Sequence, residues 1–171
     1  FPALSTEPSL AFRYRDAAKP ATLGFKSRDP QVSVDVLTLV EAKEQSTRHE
    51  WTLAVDVSYA AIDKLIIAVP KAVADEVRLV DPVVKETHKD YKATPAELKL
   101  ADAANYVMWE VVLRSEKLGA FQLALSHEKQ GALEAGKTGK VELLQVHVPG
   151  AFSETGQIAV LKDNSLELRN A

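Results

Sequence analysis

The stretch 49–59 alternates between two kinds of residue, and this pattern constrains the fold more than any other feature of the chain. Every second position belongs to a mostly apolar set: His49, Trp51, Leu53, Val55, Val57 and Tyr59. The residues between them are mostly polar: Glu50, Thr52, Ala54, Asp56 and Ser58. Side chains alternate between the two faces of a strand, whereas on a helix the same apolar set would scatter around the axis. The pattern predicts a strand with one buried and one wet face, as in antiparallel sheets.

Other strand-like segments recur along the chain. They are 10–15, 32–42, 65–69, 77–80, 107–113, 121–125, 141–148, 157–161 and 166–169. Turn-forming residues separate many of them, among them Asp81-Pro82, Lys117-Leu118-Gly119 and Asp163-Asn164-Ser165. We expect an all-β fold, namely a mainly antiparallel two-sheet β-sandwich of about nine or ten strands.

Helix is a minor element in this prediction. Thr94-Pro95-Ala96-Glu97 has the form of a capping box, with proline at the first helical position. We therefore expect one short helix near 95–104. Residues 71–76 are interpreted either as one more helical turn or as an irregular connection into the strand at 77–80.

The length of 171 residues is typical of one domain. Residues 1–9 contain two prolines and no periodicity, which predicts an N-terminal tail or linker. Residues 10–171 are then expected to form a single β-sandwich domain. Because the sequence begins with Phe1-Pro2 instead of Met, we expect a piece that was processed or cut from a longer protein.

The composition excludes several classes of protein and site. The chain contains no cysteine, which excludes disulfides, thiolate nucleophiles and cysteine-ligated metal centres. Its net charge of −3 gives no overall attraction to phosphate, so we expect no nucleic acid partner. The longest apolar run, 65–69, is far shorter than the roughly 18 residues of a membrane helix, so we expect no membrane span in this chain.

The sequence contains no recognisable catalytic or metal site. His49 ends the apolar face of its strand, and we interpret it as a rim residue bonded to backbone or water. The four histidines are His49, His88, His127 and His147. None lies at a metal-ligand spacing from another, so we expect neither a metal nor a cofactor. Residues 131–138 match the letters of a phosphate-binding loop, but strand-like residues follow where that loop needs a helix N-terminus. We interpret them as a hairpin loop, and acids such as Asp56 and Glu110 as solvated strand charges.

The aromatic residues divide into a buried and an exposed group. Both tryptophans lie on apolar strand faces, which predicts that they are buried. The predicted core is Phe12, Val34, Val36, Trp51, Leu53, Val55, Val57, Ile67, Trp109, Val111, Phe121, Leu123, Leu144 and Val146. Exposed rings are the groups on which sugars stack, and the candidates for such ligand binding are Tyr106, Tyr91 and Tyr14.

Several structural segments follow one another in a familiar order. The run 62–70 ends in proline, a valine-rich strand follows at 77–80, and then come 109–113, 119–125 and the late run Thr155-Gly156-Gln157-Ile158-Ala159-Val160. Over roughly residues 51–160 this order resembles β-sandwich modules in large multidomain envelope or exported proteins of planctomycete-type bacteria. The resemblance implies a module excised from a larger exported protein, and it brings no catalytic residues with it.

These observations favour a non-enzymatic structural or protein-interaction module. Its partners are expected to be neighbouring domains of the parent protein or another protein, in an extracytoplasmic compartment (periplasm, envelope or secreted), although the absence of cysteine also fits the cytoplasm. The alternative is a glycan- or polymer-binding β-sandwich module. A third possibility is a hydrolase, whose mark is a cleft with two carboxylates or a His–carboxylate pair with perturbed pKa values.

Overall fold

A computed structural model of the protein describes residues 22–92, 100, 102–130 and 140–167. These residues form six strands and one short 3-10 helix. The strands are β1 (Gln31–Ala42), β2 (Ser46–Pro70), β3 (Arg78–Leu79), β4 (Val84–His88), β5 (Tyr106–Gln130) and β6 (Ser153–Lys162). The 3-10 helix is Ala103–Asn105. The prediction of an all-β fold is confirmed.

All six strands belong to one hydrogen-bonded sheet. Its order is β3-β5-β2-β1-β6, and β4 also pairs with β5. Four of the five strand pairings are antiparallel, and the pairing of β1 with β6 is parallel. The sheet is therefore mixed, and β6 lies at one of its edges.

The described residues do not contain the nine or ten strands that the sequence predicts. One reason is that segments predicted as separate strands are continuous: 49–59 and 65–69 both lie in β2, while 107–113 and 121–125 both lie in β5. The turn predicted at Lys117-Leu118-Gly119 is a strand irregularity inside β5. A second hydrogen-bonded sheet is not present among the described residues.

The irregularity between β2 and β5 preserves the register of the long strands. Val57 pairs with Gly119 before it, and Lys64 pairs with Val112 after it, so both strands use the same number of residues between the two pairs. The extra residues lie first on β2 and then on β5, which is the arrangement of two opposed bulges. Tyr59, inside the β2 bulge, has a φ of 73°, and Gly119, which pairs with Val57 where the irregularity begins, has a φ of 85°. Both residues have a left-handed backbone conformation.

Three further predictions need correction or lie outside the described residues. The segment 141–148 is not a strand; its only β contact is an isolated bridge between Ala68 and His147. Of the helix predicted near 95–104, residues 93–99 and 101 lie outside the described part, and the end of it contains the 3-10 helix. The turn at Asp163 is confirmed, because the Leu166 N–H donates to its carbonyl oxygen at 3.1 Å, but no strand follows at 166–167.

One hydrophobic cluster contains the inward-facing side chains of β1, β2 and β5. Predicted core residues that are buried are Val34, Val36, Trp51, Leu53, Val55, Val57, Ile67, Trp109, Val111, Leu123 and Val146. Phe121 and Leu144 are partly buried against the same cluster, while Phe12 and the N-terminal segments 1–9 and 10–15 lie outside the described residues. Because Leu53 and Ile67 belong to one cluster, both halves of β2 line the same core.

Candidate functional site

The edge strand β6 is the most exposed regular element among the described residues. All ten of its residues are exposed. One side of β6 pairs with β1, and no strand of the described part pairs with its other side. An unpaired strand edge presents free backbone N–H and C=O groups and is a template on which another strand can pair.

The side chains of β6 leave apolar surface on both faces of the sheet. The register with β1 assigns its even-numbered residues to the inner face, because Ile158 pairs with the buried Thr38 and Val160 with the buried Val40. Even so, Ile158 is 38% exposed and Val160 is 37% exposed. On the outer face Leu161 is 51% exposed. The core of the described residues therefore stops at β1 and does not cover β6.

The segment 140–152 brings the chain to the start of β6. His147 and Ala68 exchange two backbone hydrogen bonds, of 2.8 and 3.1 Å, which fix the segment to the second half of β2. The indole N–H of Trp51 donates to the Leu144 carbonyl oxygen at 3.0 Å. The Phe152 N–H then donates to the Val32 carbonyl oxygen at 2.7 Å, and the parallel pairing with β1 begins. These bonds explain why the segment is held in place without being a strand, because its partners are mostly side chains and isolated backbone groups.

The side-chain carboxylate of Glu154 holds the end of this segment against the start of β6. Glu154 accepts a hydrogen bond from Nδ1 of His147 at 2.6 Å and one from the backbone N–H of Val148 at 2.7 Å. We call these three groups the Glu154 clamp. Although Glu154 is exposed as a residue through its edge backbone, its side chain is only 25% exposed. Burial alone would raise the pKa of the Glu154 carboxyl, but the two hydrogen bonds outweigh burial and lower it.

The Glu154 clamp contains the kind of His–carboxylate pair by which we would recognise a hydrolase. It lies beside a hollow of about 210 Å³ whose lining includes Pro149 and Ala151. However, the two oxygens of Glu154 are already bonded to His147 and Val148. This arrangement holds the chain at the start of β6.

Two of the three candidate tyrosines lie on one surface depression. Tyr91 and Tyr106 both line an open depression of about 350 Å³, together with Lys71 and Asp90. Tyr106 also packs edge-on against His147, with ring centroids 5.4 Å apart. Burial, followed by the nearby charges of two acids, raises the pKa of the Tyr106 hydroxyl. Tyr14, the third candidate, lies outside the described residues.

Two histidines form a buried pair that the sequence did not indicate. His49 and His127 are cross-strand neighbours on β2 and β5, are 4% and 3% exposed, and have ring centroids 5.9 Å apart. We expected His49 at the rim of the sheet, bonded to backbone or water. Its backbone bond is confirmed, since Nε2–H donates to the Glu142 carbonyl oxygen at 2.9 Å, but its position at the rim is wrong. His127 Nε2 lies 3.1 Å from a carboxylate oxygen of Glu76.

The environment of His49 opposes a positive charge. Its Nε2 donates to a carbonyl, so the neutral ring keeps an unprotonated Nδ1, and this atom has no hydrogen-bond partner among the described residues. Burial is the main reason that the pKa of His49 is lowered, and the proximity of His127 lowers it further. The Glu142 carbonyl is thus bonded to a ring whose charged form is disfavoured by burial.

Two negative findings complete the description. Nowhere in the described ranges do three or more His, Cys, Asp or Glu side chains converge in a way that would hold a metal ion. Likewise, the described residues include no helix with the length and apolar character needed to cross a bilayer.

Replacing Glu154 with Gln tests the Glu154 clamp. We expect the free energy of unfolding near neutral pH to fall by about 1–3 kcal/mol, because two hydrogen bonds lose their charged acceptor. Since the folded pKa of this carboxyl is lowered, its stabilisation is fully present above the unfolded pKa and is lost as the pH falls through the folded value. The difference between wild type and Glu154→Gln in urea unfolding should therefore shrink below about pH 4.

The matched control for this measurement is Glu86→Gln. Glu86 also pairs with a histidine, His88, at 2.8 Å, but both side chains are about half exposed, at 47% and 49%. An exposed pair contributes at most about 1 kcal/mol. Equal losses in the two variants would show that the Glu154 clamp stabilises the fold no more than an ordinary surface pair.

Replacing His49 with Phe tests the buried histidine pair. In the folded chain His49 binds a proton less readily than in the unfolded chain, so the unfolded state takes up more protons as the pH falls below about 6.5. Wild-type stability should therefore decrease from about pH 6.5 downwards, and His49→Phe should flatten that decrease. Urea unfolding at several pH values measures both slopes. His88→Gln, which removes an exposed histidine, is the control; a slope as steep in His49→Phe as in wild type would contradict the assignment.

Comparisons with known proteins provide no family for this chain. No protein-family model matches it, and no curated protein matches it. Among solved structures, a non-cellulosomal cohesin from the hyperthermophilic archaeon Archaeoglobus fulgidus aligns with 77% of this chain and 91% of its own length, at 8% sequence identity and a TM-score of 0.35. A likeness at that TM-score and identity assigns neither a function nor a partner to this chain.

Proposed function

We propose that this chain is a non-enzymatic protein-interaction module that binds a partner strand along the free edge of β6. The observation that supports the proposal is the exposure of all ten residues of a strand that, among the described residues, is paired on one side only. A partner strand would satisfy the free backbone groups and cover apolar side chains, which is how peptides are recognised by strand addition.

The composition of β6 supports the same function. Residues 155–161 contain no charged residue and no proline, although these are the usual devices that prevent an edge strand from pairing. The opposite edge of the sheet is less suited to pairing with a partner strand, because β3 has only two residues and β4 has charged residues at Lys85 and Glu86. Strand addition at β6 is therefore favoured over strand addition at the other edge.

The wider setting of the module is part of the proposal. We propose a two-sheet sandwich, supported by the single cluster that contains both halves of β2, and a parent protein that is large and exported, as the sequence resemblance implies. An extracytoplasmic location follows from that parentage. Neighbouring domains of the parent protein or a separate protein would then supply the partner strand.

Peptide selection tests binding at β6. Peptides selected from a random display library on the intact chain, at low protein concentration, are expected to be extended segments with alternating apolar residues. Ile158→Lys should weaken their binding at least tenfold, because it places a charge on the inner face of the edge. Val80→Lys adds the same charge at an 86% exposed residue after β3 and should leave binding unchanged. Selected peptides that bind Ile158→Lys as well as wild type would contradict the proposal.

A second candidate function is glycan binding at the depression lined by Tyr91 and Tyr106. Two aromatic rings beside Lys71 and Asp90 combine stacking surface with hydrogen-bonding groups. If the site binds sugars, a glycan array will identify binders, and Tyr106→Ala will reduce their affinity about tenfold or more. Phe25→Ala, at a 92% exposed ring elsewhere, is the control. An array without binders, or binders whose affinity Tyr106→Ala leaves unchanged, would reject this function.

A further inference from the structure

The sequence of β6 is complementary to itself when two copies run antiparallel. A two-fold axis perpendicular to the sheet brings the inner face of one strand beside the inner face of the other. Residues that lie opposite each other must then share a face, so that even-numbered residues meet even-numbered residues. The axis must therefore pass beside one residue of β6 and its equivalent in the second copy.

The register centred on Ile158 uses almost the whole strand. It pairs residues 154–162 of one copy with residues 162–154 of the other, which leaves only Ser153 of β6 without an opposite residue in the strand. On the inner face, Gly156 then lies opposite Val160 of the second copy, and Glu154 lies opposite Lys162 of the second copy. The two charged residues of β6 therefore meet residues of opposite charge, twice, because the axis repeats the pair.

The neighbouring registers lose this complementarity. Centring the axis on Gln157 places Glu154 opposite Val160, and centring it on Ala159 places Lys162 opposite Gly156. Each of these registers leaves a charge facing an apolar or absent side chain. Opposite charges on directly opposed residues stabilise an antiparallel pair, whereas charge beside apolar surface does not.

The Glu154 clamp leaves room for the additional charge. An ionised carboxylate has about four acceptor sites, and the clamp uses two of them, for His147 and for the Val148 N–H. The Lys162 ammonium of a second copy can therefore bond to Glu154 without breaking the clamp. The same register buries Ile158, Val160 and Leu161, which are 38%, 37% and 51% exposed in the single chain.

We propose that the strand which pairs with β6 belongs to a second copy of this chain, and that the two β6 strands join antiparallel about a two-fold axis at Ile158 into one continuous sheet across both copies. This inference rests on the proposed function, since it names the partner that the free edge of β6 takes. It commits to one register, which an experiment can measure directly.

The absence of cysteine makes the register testable by single-cysteine variants of the full chain. Residues opposite each other in an antiparallel pair have Cα atoms about 4.5–5.5 Å apart, which is within the range that a disulfide spans. Ile158→Cys should therefore give a covalent dimer under mild oxidation. Val160→Cys is the matched control, because its exposure is similar but its two copies would lie about 14 Å apart, four residues along the strand.

Sedimentation velocity over a range of concentrations measures the dimer without a cross-link. Ile158→Lys places two like charges at the axis and should raise the dissociation constant at least tenfold. Lys162→Glu replaces two attractive pairs with two repulsive ones and should raise it about tenfold. Circular dichroism of each variant checks that the sheet is retained, and Val80→Lys should dimerise as wild type does.

The outcomes separate the self-pairing from the proposed function. A monomer at every concentration that still binds selected peptides through β6 would overturn the self-pairing and leave the proposed function standing. A dimer that persists in Ile158→Lys, or that cross-links through Val160→Cys as readily as through Ile158→Cys, would overturn the self-pairing by placing the contact elsewhere. The third outcome is a wild-type chain that neither dimerises nor binds peptides and whose backbone amides at 155–161 are protected from hydrogen exchange. It would overturn both the self-pairing and the proposed function, because the edge of β6 would then be covered by its own chain.

Discussion

The antiparallel pairing of β2 with β5 is the constraint on which the rest of this structure depends. Both strands have 25 residues, and the register is the same before and after the irregularity near Gly119. This pair places Trp51 and Trp109 in one core and supplies the neighbours for β1, β3 and β4. Because side chains alternate along a strand, a slip of one residue between β2 and β5 would turn one of the two tryptophans to the other face, so burial of the core helps to fix the register.

The alternation of apolar and polar residues was sufficient to predict the strands that bury one face. The alternation through Trp51 and Leu53 and the valines of β1 are strong signals, because most inward positions are apolar and leaving such side chains exposed would cost free energy. The same reasoning predicted the late strand at 157–161, which is part of β6. It could not predict how many strands there are, because the residues 117–119 that indicate a turn also suit a bulge inside one long strand.

The candidate site was not predictable in the same way, since it depends on contacts between residues far apart in the sequence. Nothing in the local pattern says that β6 pairs with β1, or that no other described strand pairs with its second side. The Glu154 clamp joins His147 to a strand that begins several residues later, and His49 becomes buried because the distant Glu142 carbonyl covers it. A local signal did exist for the edge: 155–161 is uncharged and free of proline, a composition that is unusual for an exposed strand.

The parallel addition of β6 has a consequence for the order in which the chain folds. Each pair between β1 and β6 joins residues 120 positions apart, as Ser33 and Ser153 do, whereas the β1–β2 hairpin closes over a few residues. Closing so long a loop is entropically expensive and slow compared with forming a hairpin. With no buried side chain of its own to offset that expense, β6 is expected to join the sheet last and to leave it first. When it leaves, β1 becomes the edge of the sheet, so β6 protects β1 from pairing with a strand that does not belong there.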